Sequence, residues 1–276
     1  MTNSELNMKY DALTTLLGSL GSVVVAFSGG VDSTFLLYAA HEALGESVIA
    51  VTALSPLIPV REETSAANYC ASLGVRQIVI HPDPLSADGF TDNPPDRCYL
   101  CKKHIFTQIL DIAAKEHMSA VTEGSNLDDD GDYRPGHRAI AELGIRSPLR
   151  ECGFTKDDIR ILSRRYGLPT WDKPSYACLA SRIPYGEVIT AQKLAMIDRA
   201  EQILIDRGFG QLRVRLHGDL ARIELVPEEM ERFMEPQMRE SIYEELKKIG
   251  LVYITLDIKG YRTGSLNETL PGRPGT

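Results

Sequence analysis

Apolar residues follow two different periods along the first part of this chain, and the two periods alternate. Continuous apolar runs, typical of buried strands, cover residues 22–27, 48–53, 77–81 and 120–123. Apolar positions spaced three and four apart, typical of helices, cover residues 33–43, 61–73 and 102–115 between them. A further helix is expected to begin at Thr155 and to end before Gly167. Strands that alternate with helices form a parallel sheet, so the pattern predicts an α/β domain.

After Gly186 the pattern changes. It predicts two long helices and three short strands, at residues 190–207 and 228–248 for the helices and 212–216, 222–225 and 253–258 for the strands. Adjacent short strands packed with helices are typical of a smaller α+β domain. We therefore predict two domains, residues 1–180 and residues 181–276.

The composition disfavours several classes of protein. The net charge is -8, which argues against an extended nucleic-acid surface, whereas a small anionic substrate needs only local cations. No segment approaches the roughly 18–20 apolar residues of a membrane span. No export signal is recognised, so we expect a cytoplasmic protein without a membrane partner. The five cysteines are expected to be thiols or ligands rather than disulfides.

The sequence Ser-Gly-Gly-Val-Asp-Ser, residues 28–33, joins the first predicted strand to the first predicted helix. Gly29 and Gly30 lack the side chains that would keep an anion away from the backbone amides. Asp32 or Ser33 can cap the helix, whose positive N-terminal end attracts phosphate. This loop has no Lys before its Ser, as a Walker A loop requires. We therefore expect a nucleotide phosphate site of another kind.

Open parallel sheets bind their ligands beyond the carboxyl ends of the strands. Residues 28–33, 52–55 and 124–130 follow or end three of the predicted strands. We therefore expect these three segments to line one nucleotide-binding crevice. Its predicted residues are Ser28, Gly29, Gly30, Asp32, Ser33, Thr52, Ala53 and Gly124.

Three cysteines are candidates for a metal site. Cys98 and Cys101 have the C-x-x-C spacing, and Cys178 stands alone. A C-x-x-C pair by itself could be a redox pair, half of a zinc site or part of an iron–sulfur site. A structural zinc site needs four ligands, whereas three thiolates suit a 4Fe–4S cluster with one iron open to hydrosulfide. Cys70 and Cys152 are interpreted as structural.

Six motifs together resemble the LarE family of ATP-dependent sulfur transferases, a family of PP-loop ATP pyrophosphatases. They are S-G-G-V-D-S at 28–33, G-S-N-L-D-D-D-G-D-Y-R-P-G at 124–136, S-R-I-P-Y-G at 181–186, R-V-R at 213–215, A-R-I-E-L at 221–225 and G-Y-R-T-G at 260–264. The resemblance covers nearly the whole chain. It implies a parallel-sheet PP-loop domain, of the adenine nucleotide alpha hydrolase-like kind, that binds ATP and forms an adenylate. It also implies an α+β domain for substrate binding and oligomerisation.

The resemblance further implies a reaction. ATP and Mg²⁺ would activate a carboxylate of pyridinium-3,5-biscarboxylic acid mononucleotide as its adenylate, and sulfide would then displace AMP. The product would be the thiocarboxylate used in the nickel-pincer nucleotide cofactor of lactate racemase. Some members of the family give up the sulfur of a cysteine at the position of Ala177, whereas another branch carries a 4Fe–4S cluster. Cys98, Cys101 and Cys178 match that second branch.

Roles for single residues follow from the resemblance and from their chemistry. Asp32 is expected to position Mg²⁺. Lys102 is expected to face the substrate beside the cysteine pair. Arginine forks suit phosphate and carboxylate groups, and positions 213 and 215 share one face of a strand. The predicted substrate-binding residues are Ser181, Arg182, Arg213 and Arg215.

The expected partners are a small anionic nucleotide, a sulfide donor and further copies of the chain, with no nucleic acid. Two other functions of PP-loop enzymes stay open at this point. A tRNA-thiolating enzyme also adenylates an oxygen, but the net charge of -8 opposes it. An amide-forming synthetase would use ammonia as its nucleophile and would keep C-x-x-C as a structural pair, without a labile cluster.

Overall fold

The computed structural model describes residues 3–59, 61–131, 135–173, 178–262 and 264–269. The chain divides into two compact units. The first unit consists of Met1–Ser55, Arg61–Ala87 and Asp96–Tyr176. The second consists of Pro56–Val60, Asp88–Pro95 and Ala177–Thr276.

A four-stranded parallel sheet forms the centre of the first unit. Its strands are β1 (Val23–Ala26), β2 (Val48–Ala53), β3 (Arg76–Ile80) and β4 (Ala120–Thr122). They are ordered β3-β2-β1-β4, and every neighbouring pair is parallel. The predicted α/β class is confirmed, and the predicted strands differ from the observed ones only at their ends.

Seven helices are described in the first unit. They are α1 (Asn3–Ser19), α2 (Val31–Leu44), α3 (Arg61–Leu73), α4 (Arg97–Lys115), α5 (Gly136–Glu142), α6 (Pro148–Glu151) and α7 (Lys156–Arg165). The apolar pattern did not predict α1, α5 or α6. The pattern also predicted that α4 begins at residue 102, whereas the helix begins at Arg97. Cys98 and Cys101 therefore lie inside α4, not before it as the pattern predicted. The predicted cap of α7 is confirmed, because the Thr155 hydroxyl accepts from the Asp158 amide in a capping box.

Strands β1, β2 and β4 are largely buried on both faces, as parallel strands covered by helices must be, whereas the edge strand β3 is partly exposed. Val23 and Val25 of β1 pack in one core with α1, α2 and α7, and Val24 packs in a second core with α4. The alternation follows from the two-residue period of a strand. Cys70 lies in the first of these cores, and burial raises the pKa of its thiol to about 11. Its environment is therefore that of a small core residue.

A three-stranded sheet and three helices form the second unit. The strands are β5 (Leu212–His217), β6 (Leu220–Leu225) and β7 (Tyr253–Leu256), and the helices are α8 (Ala191–Asp206), α9 (Pro227–Met234) and α10 (Pro236–Lys248). In the order β5-β6-β7 the first pair is antiparallel and the second parallel. The single helix predicted over residues 228–248 is wrong. Glu235 is extended, with φ -54° and ψ 131°, because the ring of Pro236 disfavours a helical residue before it.

A buried ion pair joins helix and strand in the second unit. Arg182 is fully buried, and Glu201 of α8 is 1% exposed. The guanidinium donates from Nε to Oε1 at 2.8 Å and from Nη2 to Oε2 at 3.0 Å. Oε1 of Glu201 also accepts from the amide of Val214 in β5, at 3.2 Å. Glu201 thus connects α8 to β5 and to the turn that carries Arg182.

We expect Glu201→Ala to destabilise the protein, because it leaves the Arg182 charge buried without its carboxylate. The expected loss in free energy of unfolding is about 3–5 kcal/mol, measured by urea denaturation. Glu245→Ala is the matched control, since it removes an ion pair with Arg207 at the surface and is expected to cost far less. Equal losses in the free energy of unfolding of the two variants would contradict a stabilising role for the buried pair.

Candidate functional site

The loop between β1 and α2 has the backbone geometry of an anion site. Gly29 has φ +69°, in the left-handed region, and a Cβ added there would lie 3.3 Å from Cβ of Ala66. Gly30 is the N-cap of α2 and provides no side-chain cap, so the expectation that Asp32 or Ser33 caps this helix is wrong. Both residues lie in its first turn. The uncapped N-terminal end of a 14-residue helix therefore faces this loop.

The strand ends bring two of the predicted segments into contact. Because β4 lies next to β1, Gly124 follows its strand directly beside the start of α2. A Cβ added to Gly124 would lie 3.1 Å from the amide nitrogen of Ser33 and 3.3 Å from Cβ of Asp32. The hydroxyls of Ser28 and Ser33 lie 3.1 Å apart across the loop. A Cβ at position 124 would therefore lie closer to the backbone of this turn than side chains normally pack.

At the end of β2, the Thr52 side chain is bound within the sheet. Thr52 is buried, and its hydroxyl accepts a hydrogen bond from the Gln77 side chain of β3 at 2.8 Å. Ala53 is half-buried at the last position of the strand. The Thr52 hydroxyl therefore binds the neighbouring strand in this structure, and nucleotide binding by Thr52 and Ala53 stays a prediction.

Asp32 belongs to a closed ring of hydrogen bonds, which we call the Asp32 ring. Its carboxylate accepts from Lys156 Nζ at 2.6 Å and from Asn126 Nδ2 at 3.3 Å. Asn126 Oδ1 accepts from the amide of Asp128 at 3.0 Å, and the Asp128 carboxylate accepts from the amide of Lys156 at 2.8 Å. The ring joins the first turn of α2, the segment after β4 and the first residue of α7.

The electrostatics of Asp32 reflect its burial. Burial favours the protonated carboxyl and raises its pKa, and the nearby Asp129 carboxylate raises it further. Lys156 and Asn126 act in the opposite direction through charge and hydrogen bonds, but the net shift is upward. Asp32 is thus a partly desolvated carboxylate that depends on a cationic partner.

A second cluster connects α4 to the end of β4. Glu123 accepts from the Ser125 amide at 3.1 Å, the Ser125 hydroxyl at 2.8 Å and the Ser147 hydroxyl at 2.6 Å. Lys102 Nζ lies 3.5 Å from Glu123 Oε2. Burial alone would raise the pKa of Glu123, but Lys102 and these donors hold it below its usual value. The aliphatic part of the Lys102 side chain passes close to Gly136. A Cβ added to Gly136 would lie 2.8 Å from Cδ of Lys102.

The candidate ligand cysteines lie on accessible parts of their elements. Cys98 and Cys101 lie one turn apart near the start of α4, the first exposed and the second partly buried. Cys178 is exposed and directly precedes the short turn Leu179–Arg182 of the second unit. None of the described cysteines forms a disulfide. Within the described ranges, no three His, Cys, Asp or Glu side chains form a group that could hold a metal ion. The assignment of the three cysteines as cluster ligands stays a prediction.

The predicted substrate arginines are buried beside carboxylates. Arg215 binds Glu224 through two hydrogen bonds of 2.6 and 2.9 Å, and its Nη1 donates to the Ser181 carbonyl at 2.8 Å. Arg213 lies 5.1 Å from the ring centre of Tyr261 and donates to the Leu212 carbonyl. Burial lowers the pKa of Arg213.

This arrangement differs from the open guanidinium forks that were expected. Arg182 and Arg215 direct their forks at Glu201 and Glu224, and Arg182 also donates to the Ser181 hydroxyl at 2.9 Å. The antiparallel register explains part of the difference, because it places Glu224 directly across from Arg213 and diagonally across from Arg215, within reach of the Arg215 guanidinium. Substrate binding by these arginines stays a prediction.

Several residues of the site gave no recognisable signal in the sequence. Two lysines reach residues 28–33, which we call the phosphate loop. Lys156 Nζ binds the Asp32 carboxylate, and Lys173 Nζ donates to the Gly29 carbonyl oxygen at 3.0 Å. Glu123 and Glu201 bind predicted site residues from other elements. Each has an ordinary sequence context, and only the fold brings it to its partner. Ala177 and residues 132–134 of the 124–136 motif lie outside the described residues.

Comparison with known proteins identifies relatives along nearly the whole chain. No protein-family model matches it. The chain is 38% identical to an uncharacterised protein of Synechocystis sp., over 96% of this chain and 99% of the relative. It is 39% identical to the pyridinium-3,5-bisthiocarboxylic acid mononucleotide synthase of Lactiplantibacillus plantarum, over 96% of both chains.

A weaker match is to a component of the glutamine-hydrolysing GMP synthase of Archaeoglobus fulgidus, at 26% identity over 67% of this chain and 64% of the relative. In the described ranges, no helix is both long and apolar enough to cross a membrane. The two extensive matches, together with the parallel sheet and its phosphate loop, show that the chain belongs to the LarE family.

Proposed function

We propose that the protein is an ATP-dependent sulfur transferase of nickel-pincer nucleotide cofactor synthesis. It would adenylate a carboxylate of pyridinium-3,5-biscarboxylic acid mononucleotide and convert it into a thiocarboxylate. The observation that carries this proposal is the match over 96% of both chains to an enzyme named for the bisthiocarboxylic product. That match supports an enzyme with a role in the synthesis of this mononucleotide.

The phosphate loop supports activation by ATP. A carboxylate resists attack by sulfide because its leaving group would be oxide, whereas an adenylate leaves as AMP. Gly29 and Gly30 let phosphate oxygens approach the loop amides, and the N-terminal end of α2 stabilises the charge that develops on pyrophosphate. Asp32 is an oxygen ligand of the kind that Mg²⁺ prefers, and it lies in the first turn of that helix.

The cysteines support sulfide as the second substrate. Cys98, Cys101 and Cys178 fit a 4Fe–4S cluster in donor chemistry, because they are thiols outside any disulfide and none is fully buried. These three cysteines would hold the cluster, which when bound would supply sulfide as the nucleophile. Lys102, one position after Cys101 and held near Glu123, would present a cation to the anionic substrate.

The arginine cluster of the second unit supports an anionic substrate. Arg182, Arg213 and Arg215 are all buried and face two buried carboxylates, Glu201 and Glu224. Phosphate and carboxylate groups are suitable ligands for such a concentration of guanidinium groups, because their oxygens accept two parallel hydrogen bonds. We therefore assign recognition of the mononucleotide to this cluster and Ser181.

The reaction can be tested on the purified protein under anaerobic conditions. We expect the biscarboxylic mononucleotide, Mg²⁺-ATP and sulfide to give AMP, pyrophosphate and products in which sulfur replaces oxygen, measured by mass spectrometry. The matched control replaces sulfide by ammonia. An amide in that control, with no sulfur exchange in the main reaction, would instead identify an amide-forming synthetase.

The cysteine assignment has a separate spectroscopic test. After reconstitution with iron and sulfide, we expect Cys98→Ala, Cys101→Ala and Cys178→Ala each to reduce bound iron and the broad visible absorption of the cluster. Cys152→Ala is the matched control, because this thiol is only partly exposed and no role is assigned to it. Full iron content in the triple variant would rule out this ligand set.

The close contact at Gly124 predicts a selective defect in nucleotide binding. The added methyl group of Gly124→Ala must displace the first turn of α2, because it would lie 3.1 Å from the Ser33 amide nitrogen. We expect the Kd for Mg²⁺-ATP to rise by about tenfold, or about 1.4 kcal/mol. Gly18→Ala is the control, since Gly18 lies in α1 with no atom within 4 Å of an added Cβ. Unchanged ATP binding in Gly124→Ala would contradict a phosphate site at this turn.

A further inference from the structure

We propose that Tyr99 is a positioning residue, which holds the cysteine pair of α4 in place for metal binding. It lies between Cys98 and Cys101 in the sequence. Its side chain belongs to a group of two residues of α4 and two of α5, which we call the Tyr99 clamp: Tyr99, Lys103, Arg138 and Glu142. The inference rests on the proposed role of the cysteines and extends it to a residue without a role so far.

Both parts of the Tyr99 side chain are bound. Its hydroxyl donates to Glu142 Oε2 at 2.7 Å and accepts from Lys103 Nζ at 2.8 Å. The central guanidinium carbon of Arg138 lies 3.7 Å from the centre of the Tyr99 ring, which is a close cation–π contact. Within each helix the two clamp residues are four positions apart and share one face. The ring and the hydroxyl together therefore fix one orientation of this side chain against α5.

The backbones of the two helices also approach closely beside the clamp. A Cβ added to Gly136, at the start of α5, would lie 3.4 Å from the carbonyl oxygen of Cys98. Arg138 Nη2 lies 3.6 Å from the carboxylate of Asp96, the N-cap of α4. Helix α5 therefore contacts α4 at its N-cap, at its first turn and at Lys103 in its second turn.

These contacts matter because the first turn of a helix is its least ordered part. Its N–H groups have no partner within the helix, and helix ends open readily. The Asp96 side chain accepts no capping hydrogen bond within the described part of the chain, so α5 provides the order that a cap would give. Cys98 is the second residue of this turn. Ligands that are ordered before the metal binds lose less conformational entropy on binding.

The clamp is better suited to local order than to global stability. The side chains of Lys103, Arg138 and Glu142 are 50%, 57% and 43% exposed, and ion pairs at such sites contribute little to the free energy of unfolding. A positioning role therefore predicts a defect confined to the start of α4 and to the metal that its cysteines bind.

The proposal predicts two linked effects of Tyr99→Leu, which removes both the ring contact and the hydroxyl. Amide hydrogen exchange of residues 97–103 should become faster, measured by mass spectrometry on the iron-free protein. After reconstitution with iron and sulfide, loss of the visible absorption of the cluster to EDTA should accelerate by about threefold to tenfold, because the ligands lose their prior order. Tyr99→Phe keeps the ring contact with Arg138 and should restore part of both properties.

Arg76→Ala is the matched control. Arg76 forms an exposed ion pair with Glu116, the C-cap at the opposite end of α4. We expect this variant to leave the exchange of residues 97–103 and the rate of cluster loss unchanged. Thermal unfolding of the iron-free variants should give similar melting temperatures for Tyr99→Leu and Arg76→Ala, which separates a local defect from loss of the fold.

Each outcome gives a decision. Unchanged exchange of residues 97–103 in Tyr99→Leu would overturn the proposal, because the turn would then be ordered without the clamp. Faster exchange with an unchanged rate of cluster loss would also overturn it, because that order would not serve the metal. A wild-type protein that assembles no cluster would instead overturn the assignment of the cysteines, and this inference with it.

Discussion

The Asp32 ring is the constraint on which the first unit's site depends. It closes hydrogen bonds between side chains that lie 94 and 124 positions apart in the sequence. Through these bonds the end of β4, the start of α2 and the start of α7 share one location. Without the ring, α2 would still pack against the sheet, but the side chains of Lys156 and Asn126 would not be held at its first turn. The phosphate loop, the close contact of Gly124 and the reach of Lys156 all follow from this junction.

The second unit shows a related solution with a different balance of charge. Glu201 binds Arg182, and Glu224 binds Arg215 and Arg222. Arg213 lies against Tyr261, and burial followed by the charges of Arg182 and Arg215 lowers its pKa. Burying charges is costly unless they are paired and hydrogen-bonded, so the two carboxylates are what keep these guanidinium groups together. Recognition of an anionic mononucleotide by this cluster is part of the proposed function.

Much of the fold could be predicted because it follows from local periodicity. The four parallel strands and helix α3 were recognisable from the spacing of apolar residues, and the phosphate loop from its glycines. Helix α1 was missed because only a few of its positions are buried, among them Leu6 and Leu13, so its sequence reads as polar. The break before Pro236 was a local signal that a long amphipathic pattern obscured.

The site itself was only partly predictable. The cysteine spacing and the Ser-Gly-Gly loop are local, so the sequence contained them. Lys156 and Glu123 reach the candidate site only through partners on other strands and helices, and neither has a distinctive sequence context. The arginines were recognisable in the sequence as candidates, but their carboxylate partners were not, because an ion pair across two elements leaves no trace in sequence spacing. Chemistry that depends on long-range pairing therefore had to come from the structure.

The central claim is that ATP activates the substrate by transfer of AMP to a carboxylate oxygen. The most direct measurement labels the carboxylates of pyridinium-3,5-biscarboxylic acid mononucleotide with heavy oxygen and follows the label through one turnover with sulfide. The account predicts that each sulfur incorporated leaves one labelled oxygen in the phosphate of AMP. Label that appears in inorganic phosphate, with ADP as the other product, would contradict it.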